Sequence, residues 1–317
     1  MLWWTRRIWS VKVWWIQPVV RMTVAVLLPL LVPACITLLI WSLPGDPAEI
    51  ICPPSICTGG EELAQRWNLD KGPIGFYQHW ISSAIVGDFG NSWRVLTGKE
   101  VSVLITEKMP STLLLIGLSL IPISFGALLG ALRRPKKRWD PVLSILGVLP
   151  MVVLALLASA LVELRFGGDS YDGVAYWSKM IAGALTLGIA DGALSGMIMG
   201  FRGLFNRENQ QRYVGVALLR GETSISNTLP NLAGSLSGQY RARIIQLLSG
   251  SVIVEVIVGI DGFGALLWKG TLLQDFGVVL AAATMFATMS ALLLFGQAIL
   301  EIVQMLHIRQ APDLEAA

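Results

Sequence analysis

Histidine is almost missing from this sequence, with two in 317 residues. His79 and His307 lie far apart in the chain, which leaves no histidine-based triad or metal cluster to assemble. No G-x-S-x-G elbow is present either. The nearest approach to a phosphate-binding loop, GNSWRVLTGK at Gly90–Lys99, has the wrong spacing and lacks Ser or Thr after its lysine. These absences argue against an enzyme and against any cofactor or metal held by the chain itself. Charge is also scarce: 14% of residues are charged, against roughly 25% in an ordinary soluble domain. No basic run is interleaved with aromatics, so the net charge of +3 is not a nucleic-acid footprint.

What fills the chain is apolar. Hydrophobic residues make up 54% of it and the mean hydropathy is +0.64. Runs of about twenty apolar residues, each long enough to cross a hydrocarbon slab of about 30 Å as a helix, fall at Met22–Leu43, Thr112–Leu132, Pro141–Glu163, Lys179–Phe201, Ile244–Ile260 and Gly277–Leu300. The first run is longer than the core of a signal peptide and lacks a small-residue cleavage site, so it reads as a retained anchor. The expected fold is therefore an all-α integral membrane protein with six transmembrane helices.

Lys and Arg set its orientation, because cytoplasmic flanks are enriched in them. With both termini in the cytoplasm, 16 of the 24 basic residues fall on that side. The organisation expected is a cytoplasmic leader (1–21), a first span (22–43), an extracytoplasmic cap (44–111), a five-helix core (112–305) whose long cytoplasmic loop covers 202–243, and a cytoplasmic tail (306–317). Trp3, Trp4, Trp9, Trp14 and Trp15 in the leader suit the membrane interface.

The cap carries apolar residues at helical spacing in Glu61–Asn68 and Ile74–Ile85, punctuated by Gly59, Gly60 and Gly72, so two or three short helices are expected there. Cys52 and Cys57 flank a short stretch on the side where oxidation favours a disulfide, the alternative being two unrelated thiols. Ionisable groups inside spans are expensive and often functional, which singles out Asp191 and Glu255. Asp191 stands among Gly188, Gly192 and Gly196, a small-residue face; it could line a polar path or cap a neighbouring backbone. Glu255 could line the same path or simply hydrogen-bond a neighbouring helix.

Three blocks together resemble the permease subunits of the dipeptide, oligopeptide and nickel ABC transporter family. LPGDPAE stands at Leu43–Glu49; WNLDKGPIGFYQHW, GDFGNSW and EVSVLITEKMPSTLLL follow from Trp67; and YVGVALLRG (Tyr213–Gly221), TLPNL (Thr228–Leu232) and GSVIVEVIVGIDGFGALL (Gly250–Leu267) complete the order. The resemblance implies a subunit of a bacterial inner-membrane importer for peptides or a metal chelate. Its implied partners are a second, homologous permease, ATPase subunits holding ATP-Mg, an extracytoplasmic substrate-binding protein and the lipid bilayer.

The family's cytoplasmic ATPase-coupling motif reads E-A-A, three residues, Gly, nine residues, I-x-L-P. Within 213–230 here, Tyr213 and Leu219 fall in the coupling loop, and Ala217, Gly221, Leu229 and Pro230 match the motif. Gly215 and Val216 replace its first two residues, and Asn227 replaces the Ile. Gly221 and Pro230 are nine apart, about one helical turn short of the family spacing. That departure keeps an alternative open: a degenerate permease-like chain serving as a structural scaffold without transport.

Overall fold

A computed structural model describes residues 2–47, 49, 65, 67–132, 140–166 and 173–310. The described residues are helical throughout except for short connections and one isolated bridge between Asn91 and Glu100. In chain order the helices are α1 (Leu2–Ser42), α2 (Gly72–Ile85), α3 (Val101–Leu132), α4 (Asp140–Val148), α5 (Met151–Phe166), α6 (Gly173–Ile189), α7 (Ala193–Asn209), α8 (Arg212–Leu219), α9 (Ser224–Val258), α10 (Phe263–Leu272) and α11 (Phe276–Gln310), with a 3-10 turn at Leu69–Lys71 before α2. Cys52 and Cys57, the expected disulfide, lie outside the described residues.

Every apolar run proves helical, but not every run is one helix. Pro18–Ser42, Val101–Gly130 and Phe276–Val303 are each long and apolar enough to cross a bilayer unaided. Two further helix pairs are long and apolar enough only when taken together: α6 with α7, bent by 44°, and Ser235–Val258 with α10. Among the described residues this makes three helices long and apolar enough to span, or up to five if each bent pair is one span, against the six expected. The run Pro141–Glu163 accounts for the difference, because it divides at Leu149–Pro150 into α4 and the 16-residue α5. Proline removes a backbone donor and crowds the residue before it out of helical geometry.

The chain forms two compact units. One comprises Val19–Ser111 and Asp261–Phe295. Its core joins Ile40 from α1, Trp67 and Leu69 from the 3-10 region, Phe76 and Trp80 from α2, Leu104 from α3, Phe263 from α10 and Val278 from α11. Aromatic rings knit it together, with centroids 5.4 Å apart for Trp41–Phe76 and 4.8 Å for Phe263–Phe286, close to the favourable range for tilted pairs. The Tyr77 hydroxyl donates to the Leu30 carbonyl at 3.0 Å, tying α2 to α1. Residues 67–100 thus share their core with α10 and α11.

The other unit comprises Met1–Pro18, Thr112–Ile260 and Gly296–Ala317. Its interior is built from α5, α6, α7 and α9, around fully buried Met180, Met197 and Leu247. Glycines let these helices approach closely. A Cβ on Gly188 would collide with Pro122 and the Ser119 carbonyl, and one on Gly130 would stand 2.8 Å from the Ile198 carbonyl.

Candidate functional site

The α6–α7 break is made by Asp191 and Gly192, both left-handed, with φ of 47° and 74°. Asn and Asp are the non-glycine residues that tolerate this region best. The break at Leu149–Pro150 lies beside it, and the two are bonded together. The Asp191 amide donates to the Leu149 carbonyl at 3.1 Å, and the Met151 amide, at the start of α5, donates to Asp191 Oδ1 at 3.1 Å. Asp191 therefore caps a neighbouring backbone, which places a carboxylate where helix α5 is short of acceptors. Its side chain is also exposed, so capping does not consume it.

From α9, Gln246 Nε2 donates to the Asp191 carbonyl at 2.9 Å, while Gln246 Oε1 accepts from Arg243 Nη1 at 2.7 Å. Arg243 lies directly on Gly196, and Gln239 on Gly200. The glycine face of α7 thus receives a polar row from α9, spaced at 239, 243 and 246, the rhythm of one helix face. Sequence reading anticipated the glycines but not what they make room for.

Glu255 belongs to a different environment. It is fully buried, and Thr112 Oγ1 donates to its Oε1 at 2.6 Å. Its own carbonyl accepts the amides of Gly259 and Ile260, closing α9 with a left-handed Gly259 at φ 73°. Asp191 and Glu255 therefore have separate partners, one at an exposed break and the other inside the bundle.

The segment 213–230, the coupling candidate, falls in α8 and the first turns of α9. The Tyr213 hydroxyl donates to Glu208 at 2.7 Å and accepts from Asn231 Nδ2 at 2.8 Å. Loss of hydration, and then the proton's tie to Glu208, push this phenol above its ordinary 10.0. Val214 is fully buried and Ala217 nearly so against α7 and α9. Leu219 is 89% exposed, and Val216 and Leu218 are exposed beside it. Gly221 turns the chain at φ 79°, and the Glu222 amide closes α8 on the Ala217 carbonyl at 3.1 Å. Leu229 and Pro230 fall within α9.

Residues 122–302, more than half of the chain, match the family of binding-protein-dependent transport system inner membrane components. The chain belongs to that family. It is similar to the glutathione transport system permease protein GsiC of Escherichia coli strain K12 and of Shigella boydii serotype 4, at 28% identity in both cases, over 81% of this chain and 87% of the relative. GsiC of Shigella flexneri serotype 5b is 27% identical over the same shares. The chain is accordingly a membrane permease component of an ABC importer. The matched region contains Asp191, α8, Arg243 and Glu255, the whole set of intramembrane and coupling candidates.

A buried acid also escaped the sequence reading. Asp275 is 1% exposed and precedes α11. Its Oδ1 accepts from the Val278 amide at 3.3 Å, an N-terminal cap. Its Oδ2 collects the Ser92 hydroxyl at 2.6 Å and the amides of Trp93, Arg94 and Val95 at 3.0, 3.0 and 3.2 Å. The stretch that fails as a phosphate loop is thus an anion nest after all, filled by a carboxylate of the same chain. Arg94 adds hydrogen bonds from Nη1 to the Leu273 carbonyl and to Gln274 Oε1, at 3.0 and 3.1 Å. Among the described residues no His, Cys, Asp or Glu group is arranged to hold a metal ion.

Proposed function

We propose that this chain is one of two homologous permease subunits of an ATP-driven importer of the bacterial inner membrane that takes up peptides or a metal chelate. A separate ATPase carrying ATP-Mg docks on residues 213–230. On this reading α4 and α5 form a sixth, broken span, both termini are cytoplasmic, and residues 44–111 face outward to receive an extracytoplasmic binding protein. No cofactor is held by the chain.

The observation that carries the proposal is α8. Its inner residues Val214 and Ala217 are fixed in the bundle while Val216, Leu218 and Leu219 stand in the open. An apolar patch held out on a rigid, short helix suits a partner's groove. A rigid attachment can pass nucleotide-driven closure to the spans as body motion. That the relatives are glutathione transport permeases supports a small peptide as cargo. The shortened interval between Gly221 and Pro230 favours the second reading, a scaffold without transport.

Replacing Leu219 by Glu puts a charge into the patch without touching the fold. Co-purification of the ATPase in mild detergent and uptake by intact cells should both fall, with insertion unchanged. Normal uptake with the ATPase retained removes α8 as the coupling element. If no ATPase accompanies even the unaltered chain, the scaffold reading replaces the importer. A reporter after Ala317 should read cytoplasmic and one near Gly60 external.

A further inference from the structure

In the α5–α7–α9 bundle Gln246 bonds both to the Asp191 backbone and to the Arg243 guanidinium, and the two charged residues it links do not pair with each other. Asp191 offers Oδ1 to the Met151 amide, whereas Oδ2 has no partner among the described residues and the side chain is exposed. Arg243, half-buried in the segment Ser235–Val258, gives one hydrogen bond, to Gln246. Its Nε–H is buried without an acceptor, and among the described residues no carboxylate comes within ion-pair distance of it.

A guanidinium inside a spanning bundle is costly unless something compensates it. The cheapest structural solution would be an Asp191–Arg243 ion pair. Gln246 bridges the two residues instead, with its amide nitrogen on the Asp191 main-chain carbonyl and its amide oxygen on the arginine. Gly196 adds the floor on which the guanidinium rests. A neutral spacer between two under-used charges is the complement of a molecule that carries an ammonium and a carboxylate a short distance apart.

We propose that Asp191 and Arg243, linked by Gln246, form a binding site within the spanning bundle for a zwitterionic ligand such as a small peptide, whose ammonium meets Asp191 and whose carboxylate meets Arg243. The proposal rests on the importer reading and selects the peptide over the chelate. Arginine suits the carboxylate because it keeps its charge and presents several donors in a plane. The site is incomplete by itself, since each charge retains open valence toward the ligand, and this suits a station that must release its cargo onward.

The test uses the assembled transporter in membrane vesicles, with trialanine, N-acetyl-trialanine and trialanine amide as probes. Comparing variants supplied with the same binding protein cancels that protein's own selectivity. Wild type should reach half-maximal uptake of trialanine at a lower concentration than of either blocked form. Arg243→Gln should raise that concentration about tenfold for trialanine, the worth of one hydrogen bond to a charged group, and leave the amide unchanged. Asp191→Asn, which keeps an oxygen for the Met151 amide, should do the converse, abolishing the preference for the free amine alone. Arg243→Lys keeps the charge and should retain part of the preference, which separates binding from a folding role if Arg243→Gln fails to assemble. Equal effects of each variant on all three probes, or no effect on any, overturns the site while leaving peptide import standing. If wild-type vesicles with the ATPase bound take up none of the probes, the peptide-import reading falls and the site with it.

Discussion

Replacing Asp275 by Ala removes the one acceptor shared by Ser92, Trp93, Arg94, Val95 and Val278. Side-chain truncation leaves a buried hydroxyl and a row of amides without a partner. A hydrogen bond to a charged group contributes about 1.5–3 kcal/mol, and losing an N-cap costs about 1 kcal/mol. Because the four donors converge on one oxygen they are not additive, and about 3 kcal/mol is the reasonable expectation for the local opening of residues 92–96. Asp275→Asn keeps one oxygen but places an amide NH2 against the remaining donors, so its cost should fall between wild type and Ala. Hydrogen exchange followed by peptide mass analysis reads the effect directly. The amides of Trp93, Arg94 and Val95 should exchange about a hundredfold faster in Asp275→Ala, since each 1.4 kcal/mol is a factor of ten. Unchanged exchange in the alanine variant would show that the nest holds without its carboxylate, and equal behaviour of Asn and wild type would show that charge and the second oxygen are irrelevant.

Three further outcomes are expected. Gly188→Ala should lower the unfolding midpoint in detergent more than Gly196→Ala, because the first Cβ meets Pro122 and backbone whereas the second meets only the movable end of Arg243; overpacking costs about 1–3 kcal/mol where neighbours cannot yield. Thr112→Val should destabilise the bundle by about 1–3 kcal/mol by stripping a donor from fully buried Glu255, and the same substitution combined with Glu255→Leu should cost less than the sum of the two. Tyr213 donates to Glu208 only while protonated. With its folded value above 10.0, the stability it contributes is complete below about pH 10 and is lost as pH rises through the folded value; comparing wild type with Tyr213→Phe in alkaline unfolding shows the difference vanishing there.

Most of the architecture was legible because helices in lipid announce themselves by apolar length, and every run identified is helical. The broken spans were half legible. Pro150 and Gly192 are ordinary breakers, yet a hydropathy window averages over them, so Pro141–Glu163 and Lys179–Phe201 read as continuous. Partner choice was not legible at all. Thr112 finds Glu255, and Ser92 finds Asp275, across long stretches of chain, and nothing local at either end names the other. Nothing local marks Asp275, and Gly90–Lys99 reads as a defective phosphate loop that overlaps the family-like GDFGNSW. Asp191 illustrates the middle case: both of its readings, cap and polar path residue, were available from its neighbours, and the structure shows the cap in place with the carboxylate still exposed.

The glycine face of α7 also bears on how the protein is made. Gln239, Arg243 and Gln246 would burden α9 as a solitary helix leaving the insertion machinery, since an arginine near the middle of a span raises its insertion free energy by about 2.5–3.5 kcal/mol. Synthesis runs from the N-terminus, so α7 is already in place, with Gly196 and Gly200 open, when α9 emerges. An earlier helix thereby serves as a docking rail that shields a later one from lipid, and the order of segments along the chain becomes part of what allows the polar row to enter the membrane.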